Sequence, residues 1–425
     1  MSVPVAAPGA AAQIGDPSDT LSGEQVGDFV AKQLAGVDLD DRRLCVLVPD
    51  ATRSCPLPVL LDAVHRAVHG RASAVTVLIA LGTHAAMTEE QLARHLGYDV
   101  GALAERYPGI EVRNHEWWDP EALRSVGHIS ADRVEELSEG RLRREVDVRL
   151  NRAVVDHDVT LIVGPVFPHE VVGFSGGHKY LFPGVAAQDI IDLSHWLGAL
   201  ITSVEIIGTR GVTPVRALID EAAALVPSEL HAFCLVVASG GQHLHAIAFG
   251  EPRAAWASAA EVSAEVHIRY LDAPVQRVVS IIPSKYDDMW TGAKGFYKVE
   301  PVVADGGQVI IYAPHIRALS VMHPEIAQIG YHNREYFVQQ WDRFEHLRWG
   351  DLAHSTHLRG AGTYDPIHGE RNRVTVTLAT AIPEEVVRAA SLDYLDPDEV
   401  DIDALTADPD TLVVPQAGEV LYRLR

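Results

Sequence analysis

Gly173–Tyr180 reads GFSGGHKY, a turn of small residues that runs into a lysine. His169 lies ten residues before Lys179, and His195 lies sixteen residues after it. Gly176 and Gly177 let a backbone approach a ligand closely, and a glycine-rich turn with a lysine is one way to hold phosphate. The full phosphate-loop pattern G-x-x-x-x-G-K-[ST] is absent, however. His178 separates glycine from lysine, and Tyr180 stands where a magnesium-binding hydroxyl belongs. There is no G-x-G-x-x-G either. Either the loop meets a ligand other than a nucleoside triphosphate, or it is a tight turn carrying a solvated lysine. Imidazoles exchange protons near neutral pH and ligate metals, but His169 and His195 fit no zinc spacing such as H-E-x-x-H. Two further pairs, His65/His69 and His354/His357, lie about one helical turn apart in segments that read as amphipathic helices. Both are expected on solvated faces. Asp50-Ala51-Thr52-Arg53 offers a guanidinium fork for a carboxylate, with Asp50 holding the arginine. Its plainer alternative is a capped turn with an internal ion pair. Lys294, taken alone, is a surface lysine.

These residues need elements to position them. Leu44–Val48 is a short apolar run ending in Pro49-Asp50, as a buried parallel strand would be. A helical pattern follows from Pro58 to His69 and stops at Gly70. Ala74–Leu81 reads as the next strand, ending at Gly82-Thr83-His84, and Thr88–Gln91 reads as a capping box opening a helix. Strand, loop and helix in alternation predict a parallel sheet flanked by helices. Ligands then collect at the carboxyl ends of the strands, where Arg53 and His84 both fall. Thr160–Val163 is a further strand, and the GFSGGHKY loop follows it. Asp189–Leu200 reads as a helix carrying His195, and Ala254–Tyr270 as a long helix. A second α/β unit begins near Ala273, with strands at Arg277–Ile282, Gln308–Tyr312 and Val374–Leu378 and a helix through Lys294 and Lys298. The fold class is therefore α/β: two α/β domains with mainly parallel sheets flanked by helices and a site in the cleft between them. The expected organisation is a flexible tail over 1–20, an N-terminal domain over 21–272 and a C-terminal domain over 273–400. A tail over 401–425 is expected to return and pack on the N-terminal domain. The polar, His-rich segment His332–Arg359 is expected to form helices over the cleft.

Composition bounds the function. The chain has 425 residues, 47% of them apolar and 22% charged, enough for two domains with real cores. With 35 basic and 58 acidic residues, the formal net charge of −23 opposes sequence-independent binding to nucleic acid or anionic lipid. An anionic substrate would need a local cationic site. Cys45, Cys55 and Cys234 form no C-x-x-C pair, which suits a reducing compartment. The opening MSVPVAAPGAAAQIGDP has no basic segment with an apolar run, and no run is long enough to span a membrane. A cytoplasmic protein is expected, and a homo-oligomer is compatible with all of this.

Several long motifs resemble the lactate racemase family, the nickel-pincer-nucleotide racemases and epimerases of 2-hydroxyacids. They are PDATRSCP at 49–56, GTHAAMTEEQ at 82–91, NHEWWD at 114–119, PHEVVGFSGGHKYLFPGVA at 168–186, and the region of Lys294. The resemblance covers roughly residues 40 to 400. It implies a pyridinium mononucleotide with two sulfur-bearing arms and a carbon-bound nickel, attached covalently through Lys179. His195 would be the remaining nickel ligand, in an arrangement that suits square-planar Ni(II). It further implies His84 and His169 as the proton-transfer pair and Arg53 and Lys294 as carboxylate anchors. Asp50, Thr52, Gly176 and Gly177 would assist around the cofactor. Racemisation would pass through hydride transfer to the cofactor and a 2-keto acid. Enzymes that assemble the cofactor are the implied partners, and without them the chain would be made cofactor-free. Thr291 stands where the lactate enzymes have glutamine, with Trp290 beside it. Both border the substrate, so the substrate is expected to differ from lactate, with room for a larger acid such as a sugar acid. Trp341 is read as an aromatic cover, and His178 has no role. Two readings from other classes are a non-catalytic organic-anion binder on the same fold and, with less support, a zinc hydrolase.

Overall fold

Runs of Val, Leu and Ile bounded by Pro, Asp and Gly become the strands of two mainly parallel sheets in a computed structural model that describes residues 10–238 and 240–425. The first sheet has seven strands. Its order is Ala12–Gly15, Leu244–Gly250, Glu229–Val237, Val159–Pro165, Arg43–Pro49, Ala74–Ala80 and Ile110–Asn114. The strands from Glu229–Val237 onward are parallel, and the first two join antiparallel. From Arg43–Pro49 the chain builds outward to Ala74–Ala80 and Ile110–Asn114, then returns to lay Val159–Pro165 on the other side. The loops after Arg43–Pro49 and Val159–Pro165 therefore leave in opposite directions, opening the crevice in which α/β sheets bind ligands. Both strands are buried on both faces, which explains why they read as continuous apolar runs rather than alternating ones.

The second sheet has five parallel strands, in the order Asp393–Tyr394, Thr375–Thr380, Val303–Ala313, Val275–Ile281 and Thr411–Val414. The fourth strand in that order, Val275–Ile281, ends in the loop that leads to Trp290 and Lys294. The expected helix there is two short turns, Met289–Gly292 and Lys294–Tyr297. Asp288 caps the first by accepting the Thr291 N–H at 3.0 Å. The segment over the cleft forms the helices Arg334–Val338, Trp341–Phe344 and Trp349–Arg359. The last packs along the helix Gln188–Ile201 of the first half. Among the described residues no helix is long and apolar enough to cross a membrane.

The N-terminal end departs from expectation, while the C-terminal segment returns as strands. Residues 1–9 lie outside the described residues, but 10–20 are not a free tail. Ala12–Gly15 pairs with Leu244–Gly250 and extends an otherwise open sheet edge. The C-terminal segment serves both halves. Thr411–Val414 completes the second sheet, and Leu421–Leu424 pairs with Ile268–Leu271. That pairing also ends the long helix early, at His267, where the β-prone residues Ile268–Leu271 take up the strand.

Leu421 is fully buried. Leu421→Ala is expected to cost about 2–5 kcal/mol by removing its packing, read as a lower urea midpoint. An unchanged midpoint would show that this C-terminal strand does not tie the halves together.

Candidate active site

The loops at the carboxyl ends of both sheets converge on one cleft of about 1150 Å³ including its open mouth. Asp50 and Arg53 arrive on the loop after Arg43–Pro49, and His84 on the loop after Ala74–Ala80. His169, Glu170 and Lys179 follow Val159–Pro165, His195 lies on Gln188–Ile201, and Trp290 and Lys294 come from the second half.

Local bonds fix these loops. The Ser175 hydroxyl accepts the Phe167 N–H at 2.9 Å and donates to the Pro165 carbonyl, closing the turn before Lys179. Arg216, buried on the helix Pro214–Ala223, donates to the carbonyls of Gly176 and Phe174. His178 is buried and pairs with Asp220 at 2.8 Å. The residue that spoils the phosphate-loop pattern thus ties the loop to the same helix. Tyr180 lies flat on Gly164, where a Cβ would stand 2.1 Å from its ring. Gly177 packs on the helix Pro252–His267, where a Cβ would be 2.9 Å from that of Trp256. Gly176 lines the cleft and Gly177 does not. NHEWWD supports His84: Asn114 bonds both backbone groups of Met87, and the Trp117 indole donates to the His84 carbonyl.

Three histidines differ in what holds Nδ1. His84 Nδ1 lies 2.5 Å from the Asp50 carboxylate, leaving Nε2 free. Burial alone would raise the Asp50 carboxyl, but His84, Arg53 and the Thr52 hydroxyl together hold it well below the usual range. Thr52 therefore orients Asp50, at 2.6 Å, and does not line the cleft. His195 Nδ1 donates to the Ile191 carbonyl at 2.7 Å, so its Nε2 carries a lone pair. Burial, and then the Lys179 charge, pushes its pKa down to about 4, keeping it neutral and able to ligate. His169 Nδ1 accepts the Val171 N–H at 3.1 Å and lies 3.2 Å from a Glu170 carboxylate oxygen. Burial and the charges of Lys179, Arg53 and Lys298 hold its imidazole well below the usual range.

Cations crowd this cleft in an acidic protein. Burial, then the Arg53 charge, brings Lys179 and Lys294 down to about 7. Lys298, behind His169, is also lowered to about 7 by burial. The Lys179 amine makes no hydrogen bond or ion pair among the described residues. Lys294 donates only to the Thr291 carbonyl, at 3.2 Å.

A half-buried, unpartnered amine close to neutrality is suited to a covalent amide-type link. An imidazole with a free Nε2 shares its cavity, as a metal carried by the linked group would require. Among the described residues, no three His, Cys, Asp or Glu side chains stand together to hold a metal by themselves. A metal here would need donors that a bound ligand brings.

Some expectations need correction. His354 and His357 are not on a solvated face; they are 8% and 4% exposed and line the cleft. Their helix is covered on both sides, which periodicity alone does not reveal. Trp341 is not the cover; it stacks on Trp196 at 5.1 Å, away from the cleft. Trp290 takes that place, sandwiched between His323 and His354 with ring centroids 3.9 Å from each. The Thr291 hydroxyl is turned to Asp288 and does not line the cleft. Glu170, His323, Arg216 and Lys298 were not anticipated. Glu170 alone carried a signal, as the acid next to His169.

A profile of the lactate racemase N-terminal domain matches residues 30–206, the stretch that carries Asp50 through His195. Over 97% of its length the chain superposes on a crystal structure of a Thermotoga maritima protein, with a TM-score of 0.87 and 32% identity over 99% of that chain. Residues 30–206 thus carry a lactate racemase N-terminal domain, and the chain is similar to lactate racemases beyond it. Lactate racemase from Thermoanaerobacterium thermosaccharolyticum is 26% identical over 290 residues, 66% of this chain and 62% of that protein. The Lactiplantibacillus plantarum lactate racemase is 26% identical over 154 residues, 36% of this chain and 32% of that protein. The lactate racemase apoprotein structure from Thermoanaerobacterium thermosaccharolyticum shares the fold, with a TM-score of 0.70 at 18% identity over 95% of this chain and 93% of that one.

Lys179 binds its proton less tightly folded than unfolded. From about pH 7 up to the ordinary lysine range the unfolded chain therefore holds more protons, and stability rises with pH. The wild type is expected to gain stability relative to Lys179→Met between about pH 7 and pH 9 in urea unfolding. Parallel profiles would contradict the depressed pKa.

Proposed function

We propose that this protein is a racemase or epimerase of a 2-hydroxyacid, an isomerase that works with a nickel-pincer nucleotide tethered to Lys179. The observation that carries this is the unpartnered Lys179 amine in one cavity with the free Nε2 of His195, the two imidazoles of His84 and His169, and the cations Arg53 and Lys294. When bound, the cofactor supplies a hydride acceptor. That matters because the C2–H of a 2-hydroxyacid is too weakly acidic for simple proton removal.

The chain's own residues do the rest. Arg53 and Lys294 hold the carboxylate, so only the C2 substituents change place. Asp50 fixes the Nδ1 proton of His84, and the free Nε2 takes the hydroxyl proton as hydride leaves C2. The planar 2-keto acid turns its other face, and His169 serves the opposite enantiomer. His195 Nε2 would hold the metal of the bound cofactor, its tautomer set by the Ile191 carbonyl. Trp290, His323, His354 and His357 give the substrate side a broad, polar wall. That supports an acid larger than lactate, with polar substituents.

Co-expression with the cofactor-assembly enzymes is expected to give a mass adduct on Lys179, bound nickel, and racemisation within a panel of short-chain, aromatic, dicarboxylic and sugar 2-hydroxyacids. Lys179→Ala should lose the adduct, and His84→Asn should lower kcat by about 10²–10⁴-fold with the adduct retained. Reproducible absence of both adduct and nickel would falsify the proposal.

A further inference from the structure

His169 Nδ1 has two neighbours with opposite demands. The Val171 N–H, at 3.1 Å, asks it to be an acceptor. The Glu170 carboxylate lies 3.2 Å away, at ion-pair distance but off the line of a ring N–H, and a turn of its side chain would let it accept a proton from Nδ1. An imidazole nitrogen cannot satisfy both, so these two groups choose the tautomer between them. If Nδ1 accepts from Val171, the ring proton sits on Nε2. No lone pair then faces the substrate, and giving up that proton would leave an imidazolate. If Nδ1–H donates to Glu170, Nε2 carries the lone pair that a base needs.

We infer that Glu170 is a positioning residue that holds the Nδ1 proton of His169 and so makes its Nε2 competent, as Asp50 does for His84. The inference rests on the proposed 2-hydroxyacid chemistry for its catalytic consequence, but not for the tautomer itself. In the step, the substrate O–H proton bonds to the Nε2 lone pair while the C2–H electron pair leaves with the hydride to the acceptor named above. The ring becomes an imidazolium with Nδ1–H still on Glu170. On return, the Nε2 proton goes to the carbonyl oxygen and the ring is neutral again. Both events leave the Glu170 carboxylate unchanged.

The surroundings of Glu170 suit this role. Its side chain is 16% exposed and borders both the main cleft and a small cavity behind His169. His357, Lys294 and Lys179 face it and outweigh its burial, keeping the carboxyl below its ordinary value and charged. The Tyr297 hydroxyl faces it as well. The charges of Lys179, Arg53 and Lys298, and His195, also act on the imidazole. Without Glu170, the Val171 N–H is the group bonded to Nδ1, and it sets the tautomer.

The test is nitrogen NMR of the full chain with ¹⁵N-labelled histidine, with His169 assigned by the signals lost in His169→Asn. The wild type is expected to show protonated Nδ1 and bare Nε2, and Glu170→Gln the reverse. In cofactor-loaded protein, Glu170→Gln should lower kcat about 10²-fold while KM stays within about threefold. Should Glu170→Gln not fold, Glu170→Asp is expected to give a mixture of tautomers. A wild-type His169 protonated on Nε2, the same tautomer in both proteins, or an unchanged kcat would each overturn the inference. If loaded wild type racemises no 2-hydroxyacid, the functional proposal fails while the tautomer result still stands on its own.

Discussion

Burial of positive charge around one cavity is the constraint on which this structure depends. Arg53, Lys179, Lys294 and Lys298 are gathered behind low-dielectric walls, with Asp50, Glu170 and Glu419 among the nearby carboxylates. Desolvation and mutual repulsion make this costly, and they bring the three lysines close to neutrality. The cost makes sense if the cavity receives anions: a substrate carboxylate and a phosphorylated cofactor. It also explains how a chain with net charge −23 can attract an anionic ligand. The attraction is local, and the rest of the surface has no part in it.

The fold delivers that cluster through a topological rule. A parallel sheet that changes direction of growth at Arg43–Pro49 leaves a crevice beside Val159–Pro165, and both flanking loops carry reactive groups. The second sheet points the carboxyl end of its strand Val275–Ile281 at the same place. The C-terminal segment runs from one half to the other, and Lys285 joins Glu419 at 2.5 Å and Ser54 at 2.8 Å. Cavity geometry and chain stability are therefore coupled. Within the cavity, the second partner of each imidazole decides what its first nitrogen can do. A carbonyl on His195 leaves a metal-binding lone pair, and a carboxylate on His84 leaves a base. On His169, an amide and a carboxylate compete.

Much of this was legible in the sequence. Strands buried on both faces announced themselves as apolar runs, and the loops after them carried Asp50, Arg53, His84 and Lys179. The Thr88 capping box formed as read, with the Thr88 hydroxyl and Gln91 bonding reciprocally. Other features were not legible, for physical reasons. Periodicity shows that a helix has two faces but not that a second layer covers the polar one, so His354 and His357 were placed in solvent. Arg216 and Lys298 look like surface cations in sequence. They are buried because backbone carbonyls of Phe174, Gly176 and Pro168 accept from them, and those pairings exist only in the folded chain. The strand at Ala12–Gly15 is formed by an open sheet edge rather than by its own weak pattern.

The central claim is that hydrogen leaves and returns to C2 as hydride, while protons move only on oxygen and the histidines. Racemisation of a C2-deuterated 2-hydroxyacid by cofactor-loaded protein in ordinary water tests it most directly, by mass spectrometry of the inverted product. Retention of deuterium at C2 is the result this account predicts. Washout of deuterium at the rate of inversion would contradict it, because it would mean that a base takes C2–H as an exchangeable proton.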